Sequence, residues 1–424
     1  MKYDVVIVGA GIAGLYCAIN LNPKLKVLLL SKSDLLTSNT ALAQGGIAFS
    51  FDSEHYEDTL KAGNYTNNRE NLRVMIDESV TDYERLLDLG VKFEADFGLE
   101  GGHSKRRIAH CKDSTGVEIV TALLRKVKSL PNVDLLEHTD FFTKRHAEDV
   151  VPYALVLATG GIGQVYNHTT NSVIATGDGI AYAHFLGAKI SRMDLIQFHP
   201  TAFMNGRLLI TEAVRGEGGR LLNSNFERFT DELQPRDKVS KAIIAQKGEV
   251  YIDISHKPAD YIISRFPMIY SKLPEYGYDL TKQPIPVYPC QHYLMGGIDT
   301  DSYGRTSLAG LYAVGECAYT GVHGDNRLAS NSLLESLVFS RRTAMSINNE
   351  QLIINNAQLP KSCVMPDNVI SEIKNIMQES YFVVPNYDKC RANLARIEEI
   401  KEKYNSPLAT VAYLILTEVL SNAL

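Results

Sequence analysis

Residues 5–16 read Val5-Val6-Ile7-Val8-Gly9-Ala10-Gly11-Ile12-Ala13-Gly14-Leu15-Tyr16. The apolar residues predict a buried strand, and the glycine pattern that follows is typical of a tight turn into a helix. Gly9 allows the turn, Gly11 lets the backbone approach a pyrophosphate, and Gly14 lets the helix lie close to the strand. Because free N–H groups at the start of such a helix bind anions, the stretch predicts a bound dinucleotide.

The sequence after this turn also favours a nucleotide, but it departs from one common form of the motif. A second apolar strand, Val27–Leu30, follows at the spacing of a βαβ unit. The acidic residue that usually holds a ribose after this strand is replaced by Ser31 and Lys32. An NAD signature is therefore incomplete, and a close-packed strand-to-helix turn without a nucleotide is the alternative interpretation.

Composition and charge indicate an ordinary globular chain. It has 424 residues, of which 45% are hydrophobic, so it is long enough for two or three domains. The net charge is −6 and no basic tract is long enough for a nucleic-acid surface, which argues against a nucleic-acid partner. The six cysteines lie far apart, so their spacing predicts no disulfide framework and no metal or iron–sulfur site.

The start of the chain and its apolar runs predict the cellular location of the protein. A strand is predicted from Tyr3, which leaves no room for a signal peptide. No apolar run approaches the length that spans a membrane. We therefore expect a cytoplasmic protein with no membrane partner.

Further apolar runs predict strands of the same parallel sheet. Residues 154–161 and 311–316 each lead from an apolar strand into a glycine turn. Residues 194–294 are rich in proline and tyrosine, and the nucleotide-domain signals return after them, which favours an inserted domain. We predict an α/β fold with a discontinuous nucleotide-binding domain, 1–193 and 295–350, a capping domain, 194–294, and a small helical C-terminal domain, 351–424.

Three other segments have a clear local pattern. Residues 36–47 are small, rich in hydroxyl groups and glycine, and too apolar for a flexible linker, which is typical of a loop wrapped on a ligand. Residues 56–89 have a helical pattern that ends at Gly90. Residues 393–401 form a charged amphipathic helical pattern within the predicted C-terminal domain.

Three groups of loop residues combine cations with hydrogen-bonding side chains. They lie within 99–104, 197–237 and 291–327. His199, Arg236, His292 and Arg327 have the side chains that bind carboxylates, because guanidinium groups pair with them bidentately and imidazoles donate hydrogen bonds. Together these residues predict a site for a dicarboxylate, and unconnected loop charges are the alternative.

Several of these motifs together resemble the flavoprotein superfamily of succinate dehydrogenase and fumarate reductase. They are residues 9–14, 39–46, 158–161, 176–179, 197–201, 215–219 and 315–317. Within that superfamily, residues 100–104, 211–216 and 319–333 are most similar to the L-aspartate oxidase family. The resemblance covers nearly the whole chain and is strong over about residues 1–350.

The resemblance implies a fold and a cofactor. The fold is an FAD-binding Rossmann-like domain with an inserted α+β capping domain and a small helical C-terminal domain. Lys32 after the second strand also matches the L-aspartate oxidase family. With the glycine motif, the resemblance predicts that FAD contacts Gly9, Ala10, Gly11, Ile12, Ala13, Gly14, Lys32, Asn39, Thr40, Ala41, Leu42, Ala43, Gln44, Gly45, Gly46, Asp178, Glu316, Ser332 and Leu333.

Two positions distinguish members of the superfamily. Covalently flavinylated succinate dehydrogenases have a histidine where this chain has Asn39, so the resemblance implies noncovalent FAD. Glu100 lies where relatives that take only dicarboxylates are expected to have glutamine. A carboxylate near C2 of the substrate would pair with an α-ammonium group, which favours aspartate over fumarate. An exposed loop acid is the alternative interpretation of Glu100.

The resemblance also implies roles for the site residues. Binding of the two substrate carboxylates is implied for Arg327, His199, His292, Gln197 and Thr211. Arg236 matches the proton-transfer arginine of the superfamily, and charge stabilisation is its alternative role because the pKa of arginine is very high. The proton-relay surroundings of that arginine are matched by Glu212, Arg215 and Glu217.

The implied reaction is oxidation of L-aspartate to iminoaspartate, with hydride transfer to FAD and reoxidation by O2 or fumarate. It would be the first step of de novo NAD biosynthesis through quinolinate, with functional coupling to quinolinate synthase. A soluble fumarate reductase or succinate dehydrogenase-like flavoprotein is one alternative, and a flavin-binding protein without catalysis is another. Members of the family often have a basic tail after the C-terminal helices, and we expect its role to be missing or supplied otherwise here.

Overall fold

A computed structural model describes residues 3–142, 153–203, 208–349 and 365–423. Its strands are β1 (Val5–Val8), β2 (Val27–Leu30), β3 (Ile47–Ala48), β4 (Ile108–Ala109), β5 (Val133–Leu136), β6 (Ala154–Leu157), β7 (Ile190–Ser191), β8 (Ile196–Phe203), β9 (Arg220–Leu222), β10 (Val250–Asp253), β11 (Ile285–Leu294), β12 (Gly297–Asp299), β13 (Leu311–Ala313), β14 (Ala318–Tyr319), β15 (Tyr381–Phe382) and β16 (Val384–Pro385). Its α-helices are α1 (Ile12–Asn20), α2 (Glu54–Ala62), α3 (Arg69–Asp77), α4 (Ser79–Asp88), α5 (Thr115–Lys128), α6 (Asp178–Phe185), α7 (Glu212–Gly216), α8 (Arg236–Ile244), α9 (Ala259–Arg265), α10 (Pro267–Lys272), α11 (Asn331–Asn349), α12 (Asp367–Ser380), α13 (Tyr387–Tyr404) and α14 (Pro407–Ser421).

Strand β1 lies at the centre of a parallel five-stranded sheet. The strand order is β13-β6-β1-β2-β5, and Val5 pairs with Val27 on one side and with Ala154 on the other. Every residue of β1 is buried, because both faces of a parallel sheet are covered. The strands predicted within 154–161 and 311–316 are confirmed as β6 and β13, whereas the edge strand β5 had no prediction.

The turn from β1 into α1 requires glycine at two positions. Gly9 has φ +116°, and a Cβ there would collide with the carbonyl oxygen of Ala158. A Cβ at Gly14 would collide with the carbonyl oxygen of Gly9. The helix can therefore lie against the strand only because both residues lack a side chain, as the glycine pattern predicted.

The helical pattern of residues 56–89 is confirmed, and it comprises three helices. Helices α2, α3 and α4 follow one another, and the Asn68 side chain caps α3 by accepting a hydrogen bond from the Asn71 N–H at 3.1 Å. Gly90 follows α4 with φ +90°. This left-handed conformation is typical of the residue after a helix end.

A second sheet is antiparallel and lies within residues 196–294. Its strand order is β8-β11-β10-β9, and its core is separate from that of the parallel sheet. Cys290 pairs with His199 and Tyr293 pairs with Gln197 across β8 and β11. The two longest strands thus bring two of the predicted site segments together, while the domain boundaries at 193/194 and 294/295 stay a prediction.

The C-terminal helices α12, α13 and α14 pack on one another and share a core with β1 and β6. The helical pattern of residues 393–401 is confirmed within α13. Helix α14 also touches the start of α6, where Gly177 has φ +76°. A Cβ at Gly177 would lie 2.6 Å from Val411 Cγ2. Gly177 is therefore required both by its backbone conformation and by the close approach of α14.

Part of the composition-based predictions can be compared with the described residues. Cys363 and residues 351–364 of the predicted C-terminal domain lie outside them. Cys17, Cys111, Cys290, Cys317 and Cys390 are buried, and within the described residues Cys17, Cys111, Cys317 and Cys390 form no disulfide. No helix within the described ranges has the length and apolar character needed to cross a membrane.

Candidate active site

A cavity of about 540 Å³ lies where β1, β2 and β6 end, and it extends to β8 and β11. Every residue predicted to contact FAD lines this cavity except Gly14, which packs α1 against β1. The predicted substrate and catalytic residues that line it are Glu100, His199, Thr211, Glu212, Arg236, His292 and Arg327. Gln197 and Arg215 do not line it. The fold thus gathers the separate motifs in one cavity, where direct contacts with ligands stay a prediction.

One end of the cavity has the features of a nucleotide site. Helix α1 begins in its wall after Gly11, which has no side chain to cap the helix, and Ile12 N–H donates to Thr40 Oγ1 at 3.1 Å. The remaining N–H groups of such a helix start bind phosphate. After β2, Lys32 Nζ lies 2.5 Å from Asp178 Oδ2. An ion pair therefore stands where a ribose-binding acid would be expected.

Asn39 and Glu316 line the cavity farther along. Asn39 Oδ1 accepts a hydrogen bond from the Ser172 N–H at 2.8 Å, and Glu316 Oε1 accepts one from the Leu294 N–H at 3.1 Å. Burial raises the pKa of Glu316 to about 7, although the Leu294 N–H opposes this. The glycine turn, the helix start and these polar side chains fit FAD.

Arg236 and Arg327 meet behind the other end of the cavity at Gln197. Arg236 Nη1 donates to Gln197 Oε1 at 2.9 Å, and Arg327 Nε donates to the same oxygen at 3.2 Å. Gln197 Nε2 donates to Asn326 Oδ1 at 3.0 Å and to the Arg327 carbonyl oxygen at 2.8 Å. These contacts fix both arginines through one amide, and the contact of Gln197 with substrate stays a prediction.

Glu212 and Arg215 continue this network into the protein. Glu212 Oε2 lies 2.5 Å from Arg236 Nε, and Glu212 Oε1 lies 2.9 Å from Arg215 Nη2. Arg215 Nη1 donates to the Glu232 carbonyl oxygen at 2.6 Å. Burial alone would raise the pKa of Glu212, but Arg215 and Arg236 outweigh it and hold the pKa below its ordinary value. Glu212 is therefore an ionised carboxylate between two cations.

Two parts of the predicted network differ in the structure. Glu217 pairs with Arg106 at 3.2 Å and accepts a hydrogen bond from Tyr261, so it lies outside the predicted relay around Arg236. Arg215 is held by Glu212 and Glu232 and reaches the cavity only through Glu212. Sequence reasoning missed Glu232, because a single acid without a motif is revealed only by its tertiary contacts.

His199 and His292 are neighbours in the cavity wall, with ring centroids 5.0 Å apart. His199 Nδ1 accepts a hydrogen bond from the Thr201 N–H at 3.2 Å, so the proton of the neutral ring is on Nε2. His292 Nδ1 lies 2.8 Å from Thr170 Oγ1. Burial and the Arg236 cation lower the pKa of both imidazoles well below their ordinary value. Both rings are therefore neutral near pH 7.

Glu100 adds a buried carboxylate to the part of the wall that also holds Arg236 and Arg327. The residue is 3% exposed, and its Oε2 accepts a hydrogen bond from Ser330 Oγ at 2.5 Å. Burial and the Glu212 carboxylate raise the pKa of Glu100, and Ser330, Arg236 and Arg327 offset only part of this. The alternative interpretation of Glu100 as an exposed loop acid is wrong, because its side chain is buried in the cavity wall.

Comparisons with known proteins agree with this fold and cavity. The family model described as an FAD binding domain matches residues 4–333. The FrdA chain of a mutated E. coli quinol fumarate reductase is 27% identical with a TM-score of 0.86, and the alignment covers 100% of this chain and 89% of that chain. Fold and site thus define an FAD-dependent oxidoreductase related to the fumarate reductase flavoproteins.

Two sequence relatives narrow this class of oxidoreductase to one family. L-aspartate oxidase of Clostridium perfringens is 46% identical over 389 residues, covering 83% of this chain and 89% of that protein. L-aspartate oxidase of Clostridium acetobutylicum is 40% identical over 402 residues, covering 87% and 93%. The chain belongs to the L-aspartate oxidase family.

Proposed function

We propose that this protein oxidises L-aspartate to iminoaspartate in the cavity lined by Glu100, Arg236 and Arg327. The observation that carries the proposal is the buried Glu100 carboxylate in a wall that also holds two arginines. Cationic side chains such as Arg236 and Arg327 bind the carboxylates of a dicarboxylate ligand. A carboxylate side chain such as Glu100 instead pairs with a positively charged group of the ligand. L-aspartate has two carboxylates and an ammonium group, whereas fumarate has two carboxylates and no ammonium group.

The carboxylates of aspartate bind to the donors of the cavity wall. Arg327 takes one carboxylate, and the neutral rings of His199 and His292 donate hydrogen bonds, with Thr211 beside them. Gln197 holds Arg327 and Arg236 in a fixed relative position. Both arginines are held before the ligand arrives, so little ordering is needed on binding.

Glu100 acts on the amino group. Oxidation at Cα removes a hydride from carbon and one proton from the ammonium group, and it leaves a carbon–nitrogen double bond. The raised pKa of Glu100 makes its carboxylate a better proton acceptor than an exposed one, while a bound ammonium group favours its ionised form. Glu100 therefore binds the ammonium group and accepts its proton.

FAD, when bound, would supply the redox chemistry as the acceptor of the hydride. Arg236 stabilises negative charge beside the reacting carbon, and its ion pair with Glu212 fixes its orientation. A role for Arg236 in proton transfer is not needed, because Glu100 can hold the proton. The second substrate is O2 or fumarate, and the FAD is bound noncovalently, as the amide at Asn39 favours.

The wider setting follows from the product. Iminoaspartate is unstable, so coupling to an enzyme that consumes it, quinolinate synthase, places the reaction in de novo NAD biosynthesis in the cytoplasm. Closure of the capping domain, 194–294, over the nucleotide-binding domain, 1–193 and 295–350, would exclude water from the site. The C-terminal helices, within 351–424, form the third domain of this proposed organisation.

An anaerobic titration tests the proposed function. Addition of L-aspartate to the purified yellow holoenzyme is expected to bleach the flavin absorbance, and O2 or fumarate is expected to restore it. Aerobic turnover should form hydrogen peroxide in proportion to aspartate consumed. No bleaching by aspartate, together with ready oxidation of succinate, would favour the fumarate reductase alternative, and no response to either substrate would favour a flavin-binding protein without catalysis.

A further inference from the structure

Arg327 is a buried cation without an ion pair in the described part of the chain. Its residue is 4% exposed, and its guanidinium donates to Gln197 and Ser332, which are both uncharged. Burial and the nearby Arg236 cation lower the pKa of Arg327 to about 10. At this pKa the guanidinium is charged near pH 7, so it is a buried cation that requires negative potential from neighbouring groups.

The face of an aromatic ring supplies part of that potential. The Arg327 guanidinium carbon lies 4.2 Å from the ring centroid of Tyr293. The π face of such a ring is negative and attracts cations, more strongly where water is excluded. Tyr293 is 6% exposed and lines the same cavity, so this contact is largely dry.

Glu335 holds the other end of this ring. The Tyr293 hydroxyl donates to Glu335 Oε2 at 2.8 Å, and Glu335 also accepts hydrogen bonds from Thr320 at 2.5 Å and from His323 at 2.9 Å. Burial alone would raise the pKa of Glu335, but His323 and the hydrogen-bond donors outweigh it and keep the pKa below its ordinary value. Glu335 is therefore ionised, although the residue is only 2% exposed.

The order of the three groups has a chemical consequence. A carboxylate in direct contact with Arg327 would neutralise it and compete with a carboxylate of the substrate. Here the ring of Tyr293 separates Glu335 from Arg327. A phenol that donates to a carboxylate is polarised, which makes its ring face more negative. The charge of Glu335 thus reaches the arginine through the ring and leaves the guanidinium edge without a carboxylate partner among the described residues.

We propose that Glu335 is a positioning residue for substrate binding, because it orients and polarises Tyr293 so that the Arg327 guanidinium is held face-on to the ring. Arg327 can then offer its edge to a substrate carboxylate. The inference rests on the proposed function in one respect, namely that Arg327 binds a carboxylate of the substrate. It adds Glu335 and Tyr293 to the residues that determine affinity for dicarboxylates.

The test measures binding of succinate to the holoenzyme through the change in the flavin spectrum. Succinate has two carboxylates and no amino group, so this measurement is independent of whether aspartate is oxidised. We expect Tyr293→Leu to raise the dissociation constant of succinate by up to about 30-fold, the range of a dry cation–π contact. Glu335→Gln and Tyr293→Phe keep the ring and should each raise it by about 3- to 10-fold.

The matched control is Tyr16→Phe. Tyr16 is 1% exposed and donates to the buried Asp82 at 2.7 Å, but it does not line the cavity. This variant should leave the succinate dissociation constant within about twofold. The inference would be overturned if Glu335→Gln and Tyr293→Phe also left the succinate dissociation constant within about twofold, even if their melting temperatures fell. Failure of aspartate to bleach the flavin would count against the proposed oxidation alone.

Discussion

Glu212 and Arg236 form a buried ion pair in which Oε2 and Nε lie 2.5 Å apart. The side chains are 1% and 7% exposed, so water does not compete for either partner. Gln197 binds a second nitrogen of the same guanidinium. Two fixed contacts on one planar group determine its orientation, and this is why the arginine can be held beside a reacting carbon.

Replacement of Glu212 should therefore impair both stability and catalysis. Glu212→Gln leaves the two arginines without their carboxylate, which typically costs about 3 to 5 kcal/mol in a buried pair. We expect that loss in urea unfolding and at least a 10-fold fall in kcat, about 1.4 kcal/mol of barrier. Asp82→Asn is the control, because Asp82 is a buried partner of Arg341 outside the cavity. It should lower stability but leave the kcat of the folded enzyme unchanged.

Arg327 should be required for binding of aspartate more than for folding. Arg327→Ala is expected to raise the KM for aspartate by at least about 30-fold, because loss of one partner of a buried charged contact costs about 2 kcal/mol or more. Arg327→Lys should recover little of the lost affinity for aspartate, since an ammonium group lacks the planar, two-pronged geometry of a guanidinium group. Near-normal steady-state kinetics of Arg327→Ala would contradict the assignment of this residue to the substrate site.

Glu100 should determine the choice between amino and non-amino dicarboxylates. Glu100→Gln removes the charge but can still accept a hydrogen bond from Ser330. We expect kcat/KM for aspartate to fall by at least about 10-fold, because a charged hydrogen bond is worth about 1.5 to 3 kcal/mol. The succinate dissociation constant should stay equal or fall. An equal loss for both ligands would show that Glu100 does not recognise the ammonium group.

The pKa of Glu316 predicts how the stability of the apoprotein changes with pH. Its pKa is raised by burial to about 7 in the folded chain, against about 4.5 when exposed. Between these values the folded state binds a proton that the unfolded state has released, so stability falls as pH rises from about 4.5 to 7. The total loss is about 3 kcal/mol. Glu316→Gln should remove this decline in urea unfolding at pH 5, 6, 7 and 8, and parallel curves for both proteins would contradict it.

The nucleotide part of the fold was predictable because its signals are local. An apolar run followed by Gly9, Gly11 and Gly14 determines a strand, a turn and a close-packed helix within a dozen residues. Strand β5 had no such signal, because it includes the exposed Asp134 and Leu136 and lies at the sheet edge, where it pairs with β2. Long-range pairing of this kind is not visible in a local pattern.

The residue types of the site and the ligand class they bind could be predicted, but the contacts between these residues could not. Arginine and histidine indicated carboxylate binding by residue type, and Glu100 was recognised from its position in a family motif. The place of Gln197 behind two guanidinium groups could not be predicted, because amides bind ligands and arginines equally well. Glu232 and Glu335 were missed because their partners come from segments that only the folded chain brings together.

The contact of Gly177 with Val411 links the cavity to helix α14. Gly177 is followed by Asp178, whose ion pair with Lys32 borders the nucleotide end. During synthesis the glycine turn after β1 leaves the ribosome well before the helix that supports Gly177. A nascent chain therefore has the phosphate-binding turn long before it has α14, and the cavity wall at Gly177 gains its support only after α14 has been synthesised.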